Sequence, residues 1–382
     1  MSTSTTSQFQ SFYPPARTLM GPGPTDTPPR VMNALARPTI GHLDPQFIQM
    51  MDQLKGLLQY TFQTKNEHTL AISAPGSAGM EACFVNLIEP GDKVIVCING
   101  VFGQRMFENA KRSGAEVVVV DVPWGRAIPE ARLRETLEAN PDTRIVSFVH
   151  AETSTGAMTD AEALCKLAKD YDCLTIVDAV TSLGGIPVKV DEWQIDAIYS
   201  GSQKCLSCIP GLSPISFSTQ AVAKINARKT PVQSWFLDQT LLMSYWHGDS
   251  KRTYHHTAPV NALYALHEAL LLIWEEGIEN VWQRHADQHN KLRAGLEKMG
   301  LSFIVPEGER LPQLNTIHIP EAIDDVTVRS YLLNHYNLEI GAGLGKFAGH
   351  AWRIGLLGYG ARNENVALCL KALEEAIEKA RA

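Results

Sequence analysis

The sequence predicts an α/β protein, with a mainly parallel sheet covered by helices on both faces and a smaller C-terminal α+β domain. Short valine- and isoleucine-rich segments alternate with helical segments over the first half of the chain. This alternation is typical of a parallel sheet that is buried on both faces. The content of 45% hydrophobic and 20% charged residues is that of an ordinary globular protein.

The 382 residues exceed the length of one ordinary domain. We expect a polar N-terminal arm over residues 1–19, a large domain over residues 20–277 and a small domain over residues 278–382. Two amphipathic helices, predicted over residues 263–276 and 279–299, are separated at Gly277, which marks the boundary.

The elements of the large domain follow one another in a regular order. Residues 21–29 are rich in proline and glycine, which predicts a shaped loop. Its glycines can bring the backbone close to a ligand, and the alternative is a simple connecting turn. Further helices are predicted over residues 44–61 and 160–170. Two more are predicted to end near residues 87 and 113, and another to begin near residue 130. Strands are predicted over residues 70–73, 93–98, 116–121, 144–149, 173–178, 196–200 and 214–218. The small domain is predicted to hold strands near residues 301–305, 315–319 and 352–356, and a last helix over residues 364–380.

The charge and composition of the chain indicate which binding partners and which cellular compartment to expect. A net charge of −7 argues against nucleic acid or an anionic membrane surface as a partner. No apolar run approaches the ~18 residues of a spanning helix, so we expect no membrane partner. The seven cysteines are an odd number scattered through a large chain, which favours reduced thiols and a cytoplasmic location.

Asp178 and Lys204 follow two apolar runs that are predicted to be neighbouring strands. Both side chains would then emerge at the sheet edge where open α/β sheets bind ligands. Pyridoxal phosphate suits this pair, because a lysine amine holds its aldehyde as a Schiff base and a carboxylate keeps its pyridine nitrogen protonated. The alternatives are a solvated loop lysine and an aspartate that caps a helix.

Five other stretches carry candidate ligand-binding residues. Gly76, Ser77 and Ala78 form a small-residue turn at a predicted helix start, which favours phosphate binding but is common in other turns. Phe102 offers a flat face for stacking or is a core aromatic residue. Thr153 could donate a hydrogen bond to a ring oxygen, or lie in a capped turn.

Arg353 lies inside an apolar strand segment and needs an anionic partner, either a substrate carboxylate or a structural salt bridge. Tyr254 and Thr257 flank two histidines, and we favour contact with a phosphate over a metal site. We therefore expect no metal. The segment from Gly341 to Lys346 matches neither glycine-rich nucleotide motif.

Taken together, these stretches resemble the class V, fold type I pyridoxal-phosphate aminotransferases of the alanine–glyoxylate and serine–pyruvate group. The segments that carry the resemblance span roughly residues 20 to 360 in the order found in that family. They are Gly-Pro-Gly-Pro from residue 21, Gly-Ser-Ala-Gly from 76, Asn-Gly-Val-Phe-Gly-Gln from 99, Glu-Thr-Ser-Thr-Gly from 152, Val-Asp-Ala-Val from 177, Ser-Gly-Ser-Gln-Lys from 200, Tyr-His-His-Thr from 254 and Trp-Arg-Ile-Gly-Leu-Leu-Gly from 352.

The resemblance implies a role for each candidate residue. Lys204 would form the Schiff base and Asp178 would pair with the pyridine nitrogen. The cofactor would also contact Phe102 and Val180 on its two faces, Thr153 at the ring hydroxyl, and Gly76, Ser77 and Gln203 at the phosphate. Tyr254 and Thr257 would reach the phosphate from a second subunit, so that a homodimer shares its active sites. Arg353 would clamp the substrate carboxylate, with the backbone near Gly23 beside it.

The resemblance implies transfer of an amino group from a small amino acid, alanine or serine, to a 2-oxo acid, glyoxylate or pyruvate. Some relatives carry histidine at the position of Ser77 and tryptophan at that of Phe102. Another class V aminotransferase, with a phosphonate, ureidoglycine or aspartate donor, stays open. A lyase such as a cysteine desulfurase is disfavoured, because residues 339–353 contain no cysteine.

Overall fold

The computed structural model describes residues 10–246 and 252–381, so residues 1–9 of the predicted arm lie outside the described part of the chain. Its strands are β1 (Thr18–Met20), β2 (His68–Ile72), β3 (Lys93–Ile98), β4 (Glu116–Asp121), β5 (Ile145–Val149), β6 (Ala151–Glu152), β7 (Ala157–Met158), β8 (Leu174–Asp178), β9 (Ala197–Tyr199), β10 (Ser213–Phe217), β11 (Leu314–His318), β12 (Leu338–Ala342) and β13 (Ala351–Gly355).

The α-helices cover both faces of the larger sheet and one side of the smaller one. They are α1 (Pro29–Leu35), α2 (Pro45–Phe62), α3 (Gly76–Leu87), α4 (Val101–Arg112), α5 (Glu130–Ala139), α6 (Ala161–Asp170), α7 (Thr219–Asn226), α8 (Gln239–Trp246), α9 (Val260–Glu276), α10 (Ile278–Lys298), α11 (Asp325–Tyr336) and α12 (Asn363–Arg381).

A seven-stranded sheet, in the order β2-β10-β9-β8-β5-β3-β4, forms the centre of the molecule. The five strands from β9 to β4 are parallel, and β10 is antiparallel to both β9 and β2. The predicted α/β class with a mainly parallel sheet is therefore confirmed. The carboxyl ends of β3, β5, β8 and β9 meet at one edge, which is where an open sheet of this kind binds its ligands.

A second sheet of four strands, in the order β1-β12-β13-β11, packs against α10, α11 and α12. Its core is a separate hydrophobic cluster that includes Met20 and Trp352, whereas the cluster around the seven-stranded sheet begins at Val31 and ends at Val281. Thr18 and Leu19, predicted to belong to the arm, pair in β1 with Leu338 and Glu339. The pairing joins residues about 320 positions apart, which a sequence pattern cannot reveal.

Several predicted elements differ from those observed. The strand predicted near residues 301–305 is wrong, because that segment forms only an isolated bridge between Phe303 and Ile317. The loop predicted over residues 21–29 ends one residue earlier, since Pro29 occupies the first turn of α1, where a proline is favoured. The sequence did not predict α1, α7, α8, α11, β1, β12 or the hairpin β6–β7, which are short or lack a clear apolar period.

None of the helices formed by the described residues combines the length and the apolar character needed to cross a membrane. The seven cysteines are all buried, and each has a free thiol.

Candidate active site

Lys204 lies five residues beyond β9, in a turn that is almost closed to solvent, with 8% of its surface exposed. Its Nζ donates a hydrogen bond to the carbonyl oxygen of Pro22. Gly23 lies so close that a Cβ atom there would come within 2.5 Å of Nζ, and its φ of +111° also favours glycine. Burial lowers the pKa of Lys204 to about 8, and the nearby charge of Arg353 acts in the same direction.

Asp178, the last residue of β8, is directly opposite Tyr199 on the adjacent parallel strand β9. The prediction that Asp178 and the segment leading to Lys204 lie on neighbouring strands is therefore correct. Asp178 Oδ1 accepts from the backbone N–H of Val180 and Oδ2 accepts from the hydroxyl of Tyr199, both at 2.8 Å. Burial raises the pKa of Asp178 to about 7, although both hydrogen bonds oppose this shift.

The start of α3 forms a narrow cradle beside these two residues. A Cβ atom on Gly76 would lie 3.3 Å from both the carbonyl oxygen of Ser200 and Cγ2 of Val180, so the helix end contacts both segments. Pro75 caps the helix without a side-chain hydrogen bond, which leaves the backbone N–H groups of Gly76 and Ser77 available, whereas that of Ala78 donates to the carbonyl oxygen of Pro75 at 2.7 Å. Gln203 Oε1 is buried beside Gly201 and has no hydrogen-bond partner among the described residues. Ser77 is exposed and Ala78 is half-buried at the same helix start.

Glu152 joins two loops at the sheet edge. Its fully buried carboxylate accepts hydrogen bonds from the backbone N–H groups of Phe102, Gly103 and Ser154 and from the Ser154 hydroxyl, at 2.6 to 3.3 Å. Burial raises the pKa of Glu152, and the four hydrogen bonds lower it. Because all four partners donate, the carboxylate binds as an acceptor and fixes the half-buried Phe102 in the first turn of α4.

Arg353, on β13 of the smaller sheet, reaches the loop that follows β5. Its Nε donates to the carbonyl oxygen of Ala342 at 2.8 Å and its Nη1 to that of Thr153 at 3.1 Å. Burial lowers the pKa of Arg353 to about 10, and the charge of Glu152 opposes this shift. Within residues 10–246 and 252–381, no carboxylate forms an ion pair with Arg353. The structural salt bridge considered for this arginine is therefore not formed in that part of the chain.

Thr153 and its neighbour Thr181 share a hydrogen bond between their hydroxyl groups, and both side chains are buried. Since Thr181 directly follows the half-buried Val180, this hydrogen bond joins the loop after β5 to the loop after β8. Thr153 and Val180 are thereby placed next to Asp178.

Tyr254 and Thr257 lie at the surface rather than in the hydrogen-bond network around Lys204. Tyr254 is 61% exposed, its hydroxyl is 3.3 Å from that of Thr257, and its ring packs against His42. The intervening His256 contacts the hydroxyl of Ser73, at the end of β2, through Nε2 at 2.7 Å. Neither residue takes part in the contacts that link the segments around Lys204 and Asp178.

Tyr199 and Glu152 contact the candidate residues directly, but the sequence did not indicate a role for either. Tyr199 belongs to a three-residue apolar strand, and its contact with Asp178 depends on the strand register. Glu152 stands in a polar segment after a buried strand, and this position at a strand end was the one available signal.

Comparison with known proteins identifies a family model and several relatives that match most of the chain. The family model described as "Aminotransferase class-V" matches residues 19–351. An alanine–glyoxylate aminotransferase of Drosophila melanogaster is 41% identical over 374 residues, which are 97% of this chain and 94% of the relative. The crystal structure of an alanine–glyoxylate aminotransferase from Nostoc sp. matches with a TM-score of 0.94 and 45% identity, covering 97% of both chains. A ureidoglycine–glyoxylate aminotransferase from Bacillus subtilis matches with a TM-score of 0.95 and 38% identity, covering 98% of this chain and 96% of that one.

Proposed function

The chain belongs to the class-V aminotransferases, enzymes that depend on pyridoxal phosphate, and we propose that it moves an amino group from alanine or serine to glyoxylate or pyruvate. The aminotransferase activity and the cofactor follow from the family. The identity of the two substrates and the role of each side chain are inferred from the site.

The described residues fit this cofactor. Gln203 lies next to the cradle formed by Gly76, where a Cβ atom would contact Val180, and its side-chain amide would turn the Nε2 donor toward an anion, since Oε1 only accepts hydrogen bonds. This cradle suits a phosphate group, which the N–H groups of Gly76 and Ser77 would hold, with Ala78 in the same turn and Gln203 beside them. Asp178 would then pair with the ring nitrogen, and Thr153 would bind the ring hydroxyl. Phe102 and Val180 would contact the two faces of the ring.

The bound cofactor supplies an electron sink for the negative charge that develops at the substrate Cα. Lys204 would hold the cofactor through its amine, and the same amine would move the proton of the substrate Cα. A pKa of about 8 suits this task, because the amine can be deprotonated near neutral pH. The carbonyl oxygen of Pro22 and the backbone of Gly23 restrict the amine to one side of the site.

The observation that carries the choice of substrate is the buried guanidinium of Arg353. Two of its nitrogen atoms donate to backbone carbonyl groups, and no carboxylate of the described residues neutralises it. A buried cation of this kind needs an anion, and a planar guanidinium binds a carboxylate through two parallel hydrogen bonds. The backbone at Gly23 would lie beside the bound carboxylate. One such arginine favours monocarboxylic amino acids over dicarboxylic ones.

Glyoxylate as the acceptor is supported by the relatives. The Drosophila and Nostoc proteins are named alanine–glyoxylate aminotransferases, and the Bacillus protein is named for ureidoglycine and glyoxylate. Ureidoglycine is consequently the strongest alternative donor, while aspartate and phosphonate donors have less support. A desulfurase requires a reactive thiolate, whereas burial raises the pKa of Cys205, the cysteine next to Lys204, to about 12.

A panel of half-reactions tests this assignment. The purified enzyme, loaded with pyridoxal phosphate, is mixed with alanine, serine, ureidoglycine, aspartate or 2-aminoethylphosphonate, and conversion of the cofactor is followed by absorbance. The aminated form is then mixed with glyoxylate or pyruvate. We expect alanine or serine to react fastest and glyoxylate to reverse the change. Faster conversion by aspartate than by both alanine and serine would overturn the substrate proposal.

We further propose a homodimer in which Tyr254 and Thr257 of one subunit contact the phosphate in the other. The exposure of Tyr254, and of Trp235 that stacks on the neighbouring His255, supports an interface at this surface. Mixing inactive Lys204→Ala and Tyr254→Ala chains tests the sharing, because a mixed dimer regains one intact site. Absence of any recovered activity in confirmed mixed dimers would contradict it.

A cytoplasmic location is the remaining part of the proposal. The seven buried free thiols support it, since a reducing compartment keeps cysteines unpaired. Fractionation of cells that produce the tagged protein should recover it with cytoplasmic markers, and enrichment in another fraction would contradict the location.

A further inference from the structure

Tyr199 takes part in no step assigned above, yet it forms the closest side-chain contact of Asp178. We propose that Tyr199 is a positioning residue that acts through Asp178 to keep a proton on the ring nitrogen of the bound cofactor. This inference rests on the proposed role of Asp178.

Strand pairing fixes the contact between the two side chains. Asp178 and Tyr199 are register partners on the parallel strands β8 and β9, so their side chains point to the same face of the sheet. The Tyr199 hydroxyl donates to Oδ2 of Asp178 at 2.8 Å, while Oδ1 is bound by the backbone of Val180. Both side chains are buried, and Tyr199 is fully inaccessible. A buried phenol needs a hydrogen-bond partner, and this carboxylate provides one.

The surrounding residues leave Tyr199 little freedom to move away. Gly79 of α3 packs against the base of the Tyr199 side chain, and a Cβ atom on Gly79 would lie 3.2 Å from Cβ of Tyr199 and 2.0 Å from the hydroxyl oxygen of Ser213. The Ser213 hydroxyl is itself bound to the carbonyl oxygen of Ser200 at 2.7 Å. The tyrosine is thus held between a helix and a strand, with its hydroxyl directed at Asp178.

The chemical consequence concerns the strength of Asp178 as a base. A proton shared by a carboxylate and a pyridine nitrogen lies mainly on the stronger base. A hydrogen bond donated to a carboxylate stabilises its ionised form and so weakens it as a base. This matters in a fully buried site, because burial alone favours the neutral acid. Tyr199 therefore offsets the burial of Asp178, and the ring retains the proton on which its electron-withdrawing power depends.

Removal of the hydroxyl by Tyr199→Phe tests the inference with two readouts. The first is the ¹⁵N chemical shift of the ring nitrogen in enzyme loaded with ¹⁵N-labelled pyridoxal phosphate, which reports protonation directly. The second is the half-reaction with alanine. We expect the nitrogen signal to move toward the unprotonated value and the maximal rate to fall about tenfold, the effect of losing one hydrogen bond to a charged group. The KM for alanine should stay unchanged, since Arg353 is untouched.

Tyr331→Phe is the matched control. Tyr331 donates to a carboxylate, Glu375, in the small domain at 2.5 Å, so the variant loses the same kind of bond outside the site. Its nitrogen shift and rates should equal those of the unmodified enzyme. A Tyr199→Phe enzyme with an unchanged nitrogen shift would overturn the inference.

The Asp178→Asn variant distinguishes an error in the role of Tyr199 from an error in the proposed role of Asp178. If Asp178→Asn moves the nitrogen signal and Tyr199→Phe does not, the role of Tyr199 alone is wrong. If neither variant moves the signal, Asp178 does not pair with the ring nitrogen. Should Tyr199→Phe not fold, 3-fluorotyrosine at position 199 replaces it, because its more acidic hydroxyl is a stronger donor. The fluorinated enzyme should retain full ring protonation, and a signal moved toward the unprotonated value would overturn the inference.

Discussion

At the scale of single residues, burial sets the chemistry of the site. It lowers the pKa of Lys204 to about 8 and that of Arg353 to about 10, and raises that of Asp178 to about 7. All three shifts disfavour the charged forms, as expected for groups removed from water. Ligands of opposite charge therefore interact strongly with these groups, because the effective dielectric constant of a buried site is low.

Two substitutions of Arg353 should distinguish the contribution of its planar geometry to substrate binding from the contribution of its charge. We expect Arg353→Lys to raise the KM for alanine about tenfold and Arg353→Gln about a hundredfold, since lysine retains the charge but not the two parallel hydrogen bonds. Half-reaction kinetics over a range of alanine concentrations measure both values.

Arg310→Gln is the control for the Arg353 variants, because Arg310 likewise donates to a backbone carbonyl, that of Val305, but lies outside the site. Its KM should be unchanged. Equal KM values for alanine in Arg353→Gln and the unmodified enzyme would exclude Arg353 from binding the substrate carboxylate.

The sequence indicated the site residues that lie in or after apolar strands, but it missed those whose place in the site depends on a tertiary contact. Asp178 and Lys204 follow apolar runs, and Arg353 is a charge inside one, so their positions alone made them candidates. Tyr199 lies in an apolar strand, where an aromatic residue is ordinary. Its partner depends on the register between β8 and β9, and register is a property of the folded sheet.

At the scale of secondary structure, the close packing of α3 against the sheet positions the cradle. Gly79 allows the helix to approach Ser213 and Tyr199 at distances that exclude a Cβ atom. The same helix begins at Gly76, against Ser200 and Val180. The helix end and the two loops after β8 and β9 are therefore held together by contacts that involve small residues.

A pair of glycine substitutions tests this packing. Gly79→Ala should lower the free energy of unfolding by about 1 to 3 kcal/mol, the usual cost of adding a methyl group to a filled core. Gly56→Ala, at an open position of α2 with no atom within 4 Å, should raise it by about 0.5 to 1 kcal/mol through helix propensity. Urea denaturation of the two variants measures both changes. A neutral or stabilising Gly79→Ala would show that α3 can move away from the sheet.

Strands with a continuous apolar pattern were predicted most accurately. The bounds of β3 and β4 are those expected from the sequence, because both strands are continuous apolar runs, although β3 is buried and β4, at the edge of the sheet, buries only Val120. In contrast, β1 and β12 pair over a long sequence separation, and β12 runs into a glycine-rich segment. Tertiary contacts, and not local pattern, decide such strands.

At the scale of the whole molecule, the site lies where the two sheets approach each other. Lys204 and Asp178 follow strands of the larger sheet, while Arg353 belongs to β13 of the smaller one. The segment of Pro22 and Gly23, directly after β1, reaches Lys204. The division into domains over residues 20–277 and 278–382 stays a prediction.

Burial of Lys204 should cost stability in the protein freed of cofactor. A lysine whose pKa is lowered from 10.5 to about 8 on folding destabilises the folded state fully below pH 8, and the cost disappears as the pH rises toward 10.5. We therefore expect Lys204→Met to raise the free energy of unfolding by about 3 kcal/mol at pH 7 and by much less at pH 10. Denaturation at both pH values measures this.

Lys93→Met should instead lower the free energy of unfolding at pH 7. The carboxylate of Asp142, 2.8 Å from Nζ of Lys93, raises the pKa of this lysine and stabilises its charge. If the stability gained by Lys204→Met were the same at pH 7 and pH 10, the buried charge would not be its cause.

The attachment site of the cofactor tests the proposed active site most directly. Borohydride reduction of the enzyme loaded with pyridoxal phosphate fixes the cofactor to the lysine that holds it, and mass spectrometry of the digested protein identifies that lysine. We expect the added mass on the peptide that contains Lys204, and its loss in Lys204→Ala together with turnover. Attachment to a different lysine, or an unmodified Lys204 in an active enzyme, would contradict the assignment.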